Sequence, residues 1–265
     1  MTQTMILAAA PGQAAAAGGW GLTLAHLAYR VGGGPHLFRA NAPVAPRGGL
    51  LVMEADRFDG AGESEPFCNE VLRECAARKF TGVVCRFRGR AIPLLGEIAG
   101  KLGELCGGRG LSCYVTETYG AAAPGAKVLI PTALSGGSLQ NRLEEAQGRF
   151  GPGRVALWVE RSAEDFLLPS PGGAGAPLTA EELSRRRAEH SPSVFFSDEL
   201  CAHYFTYMAG EKGHFVLFDD AGSIRKKLHI AGRLGIQTAF LPYESTADLL
   251  PELLERKVPQ GENQN

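Results

Sequence analysis

The residues in this chain that could do chemistry are carboxylates and arginines at the ends of apolar runs. Glu54 and Asp56 close one such run (Leu50-Leu51-Val52-Met53), Glu117 closes another, and Glu160 a third. Two carboxyl groups held across a cleft can hydrolyse a glycosidic bond, one as the acid and the other as base or nucleophile. Arg86 and Arg88 lie two residues apart on a further run, so they would point to the same side of a strand. A guanidinium placed that way can hold a carboxylate or phosphate through two parallel hydrogen bonds. The bland alternative is that these groups pair with one another as an ion cluster. Glu54, Glu117 and Glu160 are thus candidate catalytic carboxylates, with no firm assignment among them. Arg86, Arg88, Asp56, Glu117 and Glu160 are candidate ligand contacts, and Tyr119 and Tyr243 are aromatics that could stack on a sugar ring.

Other chemistries find less support. The six histidines show no His-x-His or His-Glu-x-x-His spacing, so neither a metal nor another cofactor is expected. Ser135 and Ser138 lack the strained Gly-x-Ser-x-Gly elbow of serine hydrolases. The turn they flank, Leu134-Ser-Gly-Gly-Ser138, could cradle an anion, although a capped helix start explains it more simply. A net charge of −1 leaves no basic surplus for a run of phosphates, which argues against nucleic acid as a partner. The local runs Arg185-Arg186-Arg187 and Arg225-Lys226-Lys227 read as solvated helix faces. Six cysteines without a Cys-x-x-Cys pair read as reduced thiols. Residues 1–19 carry no basic start before their apolar stretch, and Pro11-Gly12-Gln13 interrupts it. Neither a signal peptide nor a membrane span is expected, which suggests a cytoplasmic chain. The oligomeric state is left open.

Elements able to position these groups recur along the chain. Strand-like runs fall at 4–8, 36–40, 50–54, 82–87, 111–116, 127–132, 154–159 and 235–241. Most are near-continuous apolar runs, as in Val155-Ala156-Leu157-Trp158-Val159, which is how strands buried on both faces read. Helical periodicity fills the gaps at 66–79, 92–106 and 138–150, the last starting at a serine cap. Strands alternating with helices imply a parallel α/β architecture, and eight of them favour a closed barrel. The rhythm breaks at 160–234. A Pro/Gly-rich loop (169–177) leads there to a helix capped by Thr179, with Glu182 three positions on, and then to strand-like runs at 193–196, 203–208 and 214–218. The last two form a hairpin across the turn Ala209-Gly-Glu-Lys-Gly213, with His214 packed inside it.

A family resemblance enters at residues 204–241. The chain reads Tyr204-Phe-Thr-Tyr207, then Gly213-His214-Phe-Val-Leu-Phe-Asp219-Asp220, Ser223-Ile-Arg-Lys-Lys-Leu228 and Ala231-Gly-Arg-Leu-Gly-Ile236. This resembles the last part of family 18 glycoside hydrolases, particularly their bacterial spore and cell-wall branch. In that branch an aromatic hairpin leads to His-x-Val-Trp-Tyr-x-Asp, a Ser-Leu-x-x-Lys helix and a closing strand. A second match, Lys79-Phe-Thr-Gly-Val-Val-Cys-Arg-Phe-Arg88, aligns with the family's fourth strand, which reads roughly Gly-Phe-Asp-Gly-Ile-Asp-Ile-Asp-Trp-Glu. Gly82 agrees, whereas Thr81, Val84, Arg86 and Arg88 stand at the four acidic positions. The last of these is the family's proton donor, and arginine cannot donate a proton at neutral pH. Leu241-Pro242 likewise replaces the family's usual tryptophan floor.

The resulting expectation is a single-domain (β/α)8 TIM-type barrel, residues 1–265, with a small α+β insertion at 161–234 before the last strand. The resemblance implies a barrel that has lost the family's acid and binds a glycan, a cell-wall-derived molecule or another ligand at its mouth. Two alternatives are an active glycosidase using relocated carboxylates, and a protein-interaction scaffold whose mouth is closed by its own ion pairs.

Overall fold

A computed structural model describes residues 3–41, 46–169 and 175–254. Strands run in chain order as β1 (Thr4–Ala9), β2 (Thr23–Gly32), β3 (His36–Arg39), β4 (Leu50–Glu54), β5 (Gly82–Cys85), β6 (Ser112–Thr116), β7 (Lys127–Pro131) and β8 (Val155–Trp158). They continue as β9 (Ala163–Leu168), β10 (Ala176–Pro177), β11 (Phe195–Ser197), β12 (Ala202–Ala209), β13 (Lys212–Phe218) and β14 (Thr238–Pro242). The helices are α1 (Ala14–Gly18), α2 (Ser64–Arg78), α3 (Pro93–Gly107), α4 (Leu139–Phe150), α5 (Ala180–His190), α6 (Ala221–Arg233), α7 (Tyr243–Thr246) and α8 (Leu250–Leu254).

Eight parallel strands close into a barrel in the order β1, β2, β4, β5, β6, β7, β8, β14, with β14 returning to pair with β1 from Thr4↔Thr238 to Ala8↔Pro242. Alternation along each strand separates two cores. Ile6, Ala8, Leu50, Val52, Val84, Tyr114, Leu129, Ala156, Trp158 and Phe240 fill the interior. Their neighbours, such as Leu7, Leu51, Val83, Val115, Val128 and Leu157, pack outward against α2, α3, α4 and α6. At Gly82 a Cβ would lie 2.6 Å from the Ser112 carbonyl oxygen and 2.6 Å from a Leu50 methyl, so only glycine fits the strand crossing there.

One expected strand is corrected. The run at 36–40 forms β3, which pairs antiparallel with β2 outside the closure, and the second barrel strand is β2 itself. Its polar residues disguised it. Tyr29 is buried because its hydroxyl donates to Glu74 of α2 at 2.8 Å, and the register shift between His26 and Tyr29 breaks the alternation.

Between β8 and β14 lies a second, antiparallel sheet in the order β10-β9-β13-β12-β11. The expected helix caps as read: Thr179 Oγ1 accepts from the Glu182 N–H at 3.1 Å, and Glu182 returns the bond to the Thr179 N–H at 2.8 Å. Helix α5 follows, and Leu178 and Leu183 cover Phe205, Tyr207, Val216 and Phe218 on one sheet face. The hairpin β12–β13 pairs Tyr207 with His214, whose rings stack at 4.5 Å. Residues 170–174 of the expected Pro/Gly-rich loop lie outside the described residues.

Both basic runs are corrected in part, each having one member turned inward. Arg186 donates to Asp165 at 2.8 Å and to the Tyr207 hydroxyl. Lys227, only 1% exposed, meets Asp219 at 2.6 Å. Asp219 also accepts from the Ser162 N–H and the Ser223 hydroxyl, each at 2.7 Å, so both oxygens of this buried carboxylate are hydrogen-bonded. All six cysteines are buried and unbridged. Removing one partner of such a pair strands the other charge. Asp219→Ala should therefore cost about 3–5 kcal/mol in urea unfolding, and adding Lys227→Met to it should recover part of that loss.

Candidate functional site

The site forms where the interior parity runs on past the carboxyl ends of the strands, the face on which barrels carry their sites. Beyond Val52 comes Glu54, beyond Val84 comes Arg86, and beyond Tyr114 comes Thr116; Leu129 is followed by Pro131, and Trp158 by Glu160. Together with Arg88 these side chains line or support a cleft of about 250 Å³. A wider hollow of about 750 Å³ lies along the outer surface of α2, beside Glu63, Glu65, Asn69 and Arg73. It gathers no side chains from the strand ends and is only a surface groove.

Arg86 organises the floor. Its backbone N–H donates to the Met53 carbonyl at 2.9 Å, extending the β4–β5 pairing by one residue. The guanidinium donates to Glu54 and lies 4.5 Å over the Trp158 ring, which itself stacks on Phe240. Arg86 and Glu54 side chains are only 15% and 18% exposed. Burial, with Arg88 alongside, lowers the Arg86 pKa from its ordinary value, and Glu54 opposes the shift. Arginine still keeps its proton at any physiological pH. Arg88 is different: it is 56% exposed and reaches the same Glu54 oxygen only at 3.4 Å.

The candidate carboxylates separate by environment. Glu54 is held by both arginines. Glu117 opens a one-turn 3-10 helix, and its carboxylate is taken by Arg142 and, at 3.6 Å, by Arg149, both from α4. Glu160 has its backbone N–H fixed by the Thr132 hydroxyl at 3.1 Å, yet among the described residues no hydrogen bond or ion pair reaches its carboxyl group. Burial pushes the Glu160 pKa up, more strongly than the charges of Arg86, Arg88 and Lys227 pull it down.

The structure moves three expected ligand contacts away from the cleft. Tyr119 is 4% exposed, its hydroxyl accepts from the Ile92 N–H at 3.1 Å, and its ring meets Phe87 edge to face. It is a structural pillar, not an open stacking surface. Tyr243 starts α7 and packs against the outer core, and Asp56 is exposed on the loop after β4. In their place the cleft uses Trp158, Thr116 and Pro131. Thr116 donates to the Phe87 carbonyl at 2.7 Å and so ties the two loops that carry Arg88 and Glu117. Trp158 was legible as interior by its spacing from Ala156, but a tryptophan inside an apolar run reads first as core.

Among the described residues no group of three His, Cys, Asp or Glu side chains is arranged to hold a metal ion, and no helix is long and apolar enough to cross a membrane.

The raised Glu160 pKa has a consequence for stability. A carboxyl that binds its proton more tightly in the folded chain adds stability below the ordinary glutamate pKa, and that gain is lost as pH rises through the raised value. Glu160→Gln cannot ionise. It should melt at a higher temperature than the natural chain at about pH 7 and together with it at about pH 4. Thermal unfolding at both pH values checks this, and a variant less stable at neutral pH would show that the structure favours the carboxylate.

No family model matches the sequence, and no curated protein matches it. Solved structures do. A chitinase from Chromobacterium violaceum superposes with a TM-score of 0.67 at 16% identity, covering 96% of this chain and 100% of that one. The Bacillus cereus spore cortex-lytic enzyme SleL gives 0.66 at 16% identity, over 96% of this chain and 75% of that one. The GH18 chitinase from Cycas revoluta, in complex with (GlcNAc)3, gives 0.58 at 12% identity, over 94% and 98%. The chain therefore has the (β/α)8 fold of the chitinase-like family 18 glycoside hydrolases.

Proposed function

We propose that this chain is a chitinase-fold barrel that binds a glycan at its mouth without the family's acid catalysis. The observation that carries the reading is Arg88. It follows the fourth barrel strand, in the register that Gly82 sets, and lines the cleft where the resemblance places a glutamic acid. Two guanidinium groups there also oppose the chemistry itself, because glycoside cleavage builds positive charge on the sugar ring. The cleft remains open despite the Arg86–Glu54 pair, which favours a ligand site over a scaffold plugged by its own charges. A structural neighbour holding (GlcNAc)3 makes a sugar the natural ligand class, and a cell-wall-derived fragment fits the spore cortex-lytic neighbours. We read residues 161–234 as one insertion within a single domain. Six unbridged thiols suit a reducing compartment such as the cytoplasm.

A second reading is favoured by Glu160, which is unpaired among the described residues and pushed toward the protonated form that a general acid needs. One experiment separates the two. Chitooligosaccharides incubated with the chain should bind, by calorimetry, and emerge uncleaved by mass spectrometry. Cleavage that Glu160→Gln abolishes would replace the first reading with the second. Absence of binding to any glycan would remove both.

A further inference from the structure

Charge is distributed unevenly around the mouth. Arg86, Arg88, Arg142 and Arg149 face Glu54, Glu117 and Glu160, four guanidinium groups against three carboxyl groups, in a chain whose overall net charge is −1. Two of the four arginines are committed: Arg86 is buried between Glu54 and Trp158, and Arg142 is taken by Glu117. Arg149, 63% exposed and 3.6 Å from Glu117, is not among the residues that line the cleft. Arg88 is the loosely held guanidinium inside it. The one carboxylate it pairs with among the described residues is Glu54, at 3.4 Å, and that group is already engaged by Arg86. A guanidinium carries five donors in a planar fork, so Arg88 keeps most of its hydrogen-bonding capacity for whatever enters the cleft.

We propose that this cleft selects an acidic sugar, one whose ring carries a carboxylate held by the free fork of Arg88. The inference rests on the glycan reading above and names the class of glycan. A neutral sugar would displace water from Arg88 and return only neutral hydrogen bonds, whereas a carboxylate returns charge-assisted ones, in matching planar geometry. A sugar phosphate carries close to two negative charges and would call on a second cation, but Arg86 is spent on Glu54. The volume of about 250 Å³ lies just under the range of ordinary small-molecule sites, ~300–1,000 Å³, and suits a single seated ring with the rest of a chain outside.

Two pairs of probes, each differing by a carboxylate, test this on the whole chain: glucuronic acid against glucose, and N-acetylmuramic acid against N-acetylglucosamine. Glucose 6-phosphate is the third arm. In calorimetric titrations the acidic member of at least one pair should bind about tenfold or more tightly than its neutral partner, with the preference shrinking as salt is raised. Arg88→Gln, at an exposed position, should keep its melting temperature and lose the preference for the acidic sugar. Equal binding of acidic and neutral sugars would overturn the inference and leave the glycan reading standing. An acid preference that survives Arg88→Gln would overturn the assignment to Arg88, and tightest binding of the phosphate would overturn the choice of carboxylate. If neither neutral nor acidic sugar bound, the glycan reading would fall and this inference with it.

Discussion

Closure of the parallel sheet between β1 and β14 is the constraint on which everything else in this molecule depends. Once the ring is closed, each strand has an inside and an outside, and a side chain's place follows from its parity. The interior is then filled by large residues set among small ones, Tyr114, Trp158 and Phe240 with Ala8, Ala25 and Ala156. The next residues of the same parity must lie at the mouth, whatever their chemistry. Glu54, Arg86 and Glu160 are there because Val52, Val84 and Trp158 are where they are. A one-residue shift of β5 would send Arg86 into the outer core and bring Phe87, now fully buried there, to the mouth.

Placing an arginine in that ring layer has electrostatic consequences that propagate. A guanidinium just above an apolar core is costly unless it is paired, and Glu54 on the neighbouring strand provides the pair while the Trp158 ring supports its face. That pairing uses Glu54, so a second arginine two residues on finds its nearest acid already engaged. The free charge of Arg88 thus follows from the stoichiometry of its neighbours more than from anything Arg88 does itself. Glu160 completes the pattern: it is too buried to ionise as easily as a surface glutamate, and its carboxyl group is unpaired among the described residues.

Much of this could be read from the chain, and the failures have physical causes. Strands β4, β6, β7 and β8 were legible because strands covered on both faces are apolar throughout. Strand β2 was not, because it places Tyr29 and Arg30 beside β3 and α2 and slips its register after His26, so its sequence carries neither clean alternation nor a continuous run. The four mouth residues Glu54, Arg86, Arg88 and Glu160 were found by their position after apolar runs. Tyr119 and Tyr243 satisfied the same rule and are not in the cleft, since a short 3-10 turn and a helix start redirect the chain just past the strand end. Proximity to a strand end selects candidates, and the local turn decides which of them face the opening. Lys227 and Arg186 were misread for a related reason: within a basic run, helical spacing turns one member inward, where it needs a buried acid that lies elsewhere in the chain.

That buried acid explains how the second sheet is joined to the barrel. Asp219, the first residue after β13, accepts from the N–H of Ser162, just before β9, and the Asp219 N–H returns a bond to the Ser162 carbonyl at 2.8 Å. The two ends of the antiparallel sheet are therefore tied to each other at its base. The other Asp219 bonds go to Ser223 and Lys227 of α6, which packs Ile224 and Ala231 into the outer core with the barrel helices. One carboxylate thus fastens the entry and exit of the second sheet to a helix of the barrel. The arrangement also bears on the cleft, because Ser162 is two residues from Glu160 and the Lys227 charge is among those that reach that carboxyl group. A loop this close to the site would otherwise be free to carry Glu160 in and out of the mouth. With Ser162 at its downstream end held by two hydrogen bonds with Asp219, which Ser223 and Lys227 anchor in turn, and its upstream end held by Thr132, the backbone position of Glu160 is set by the fold.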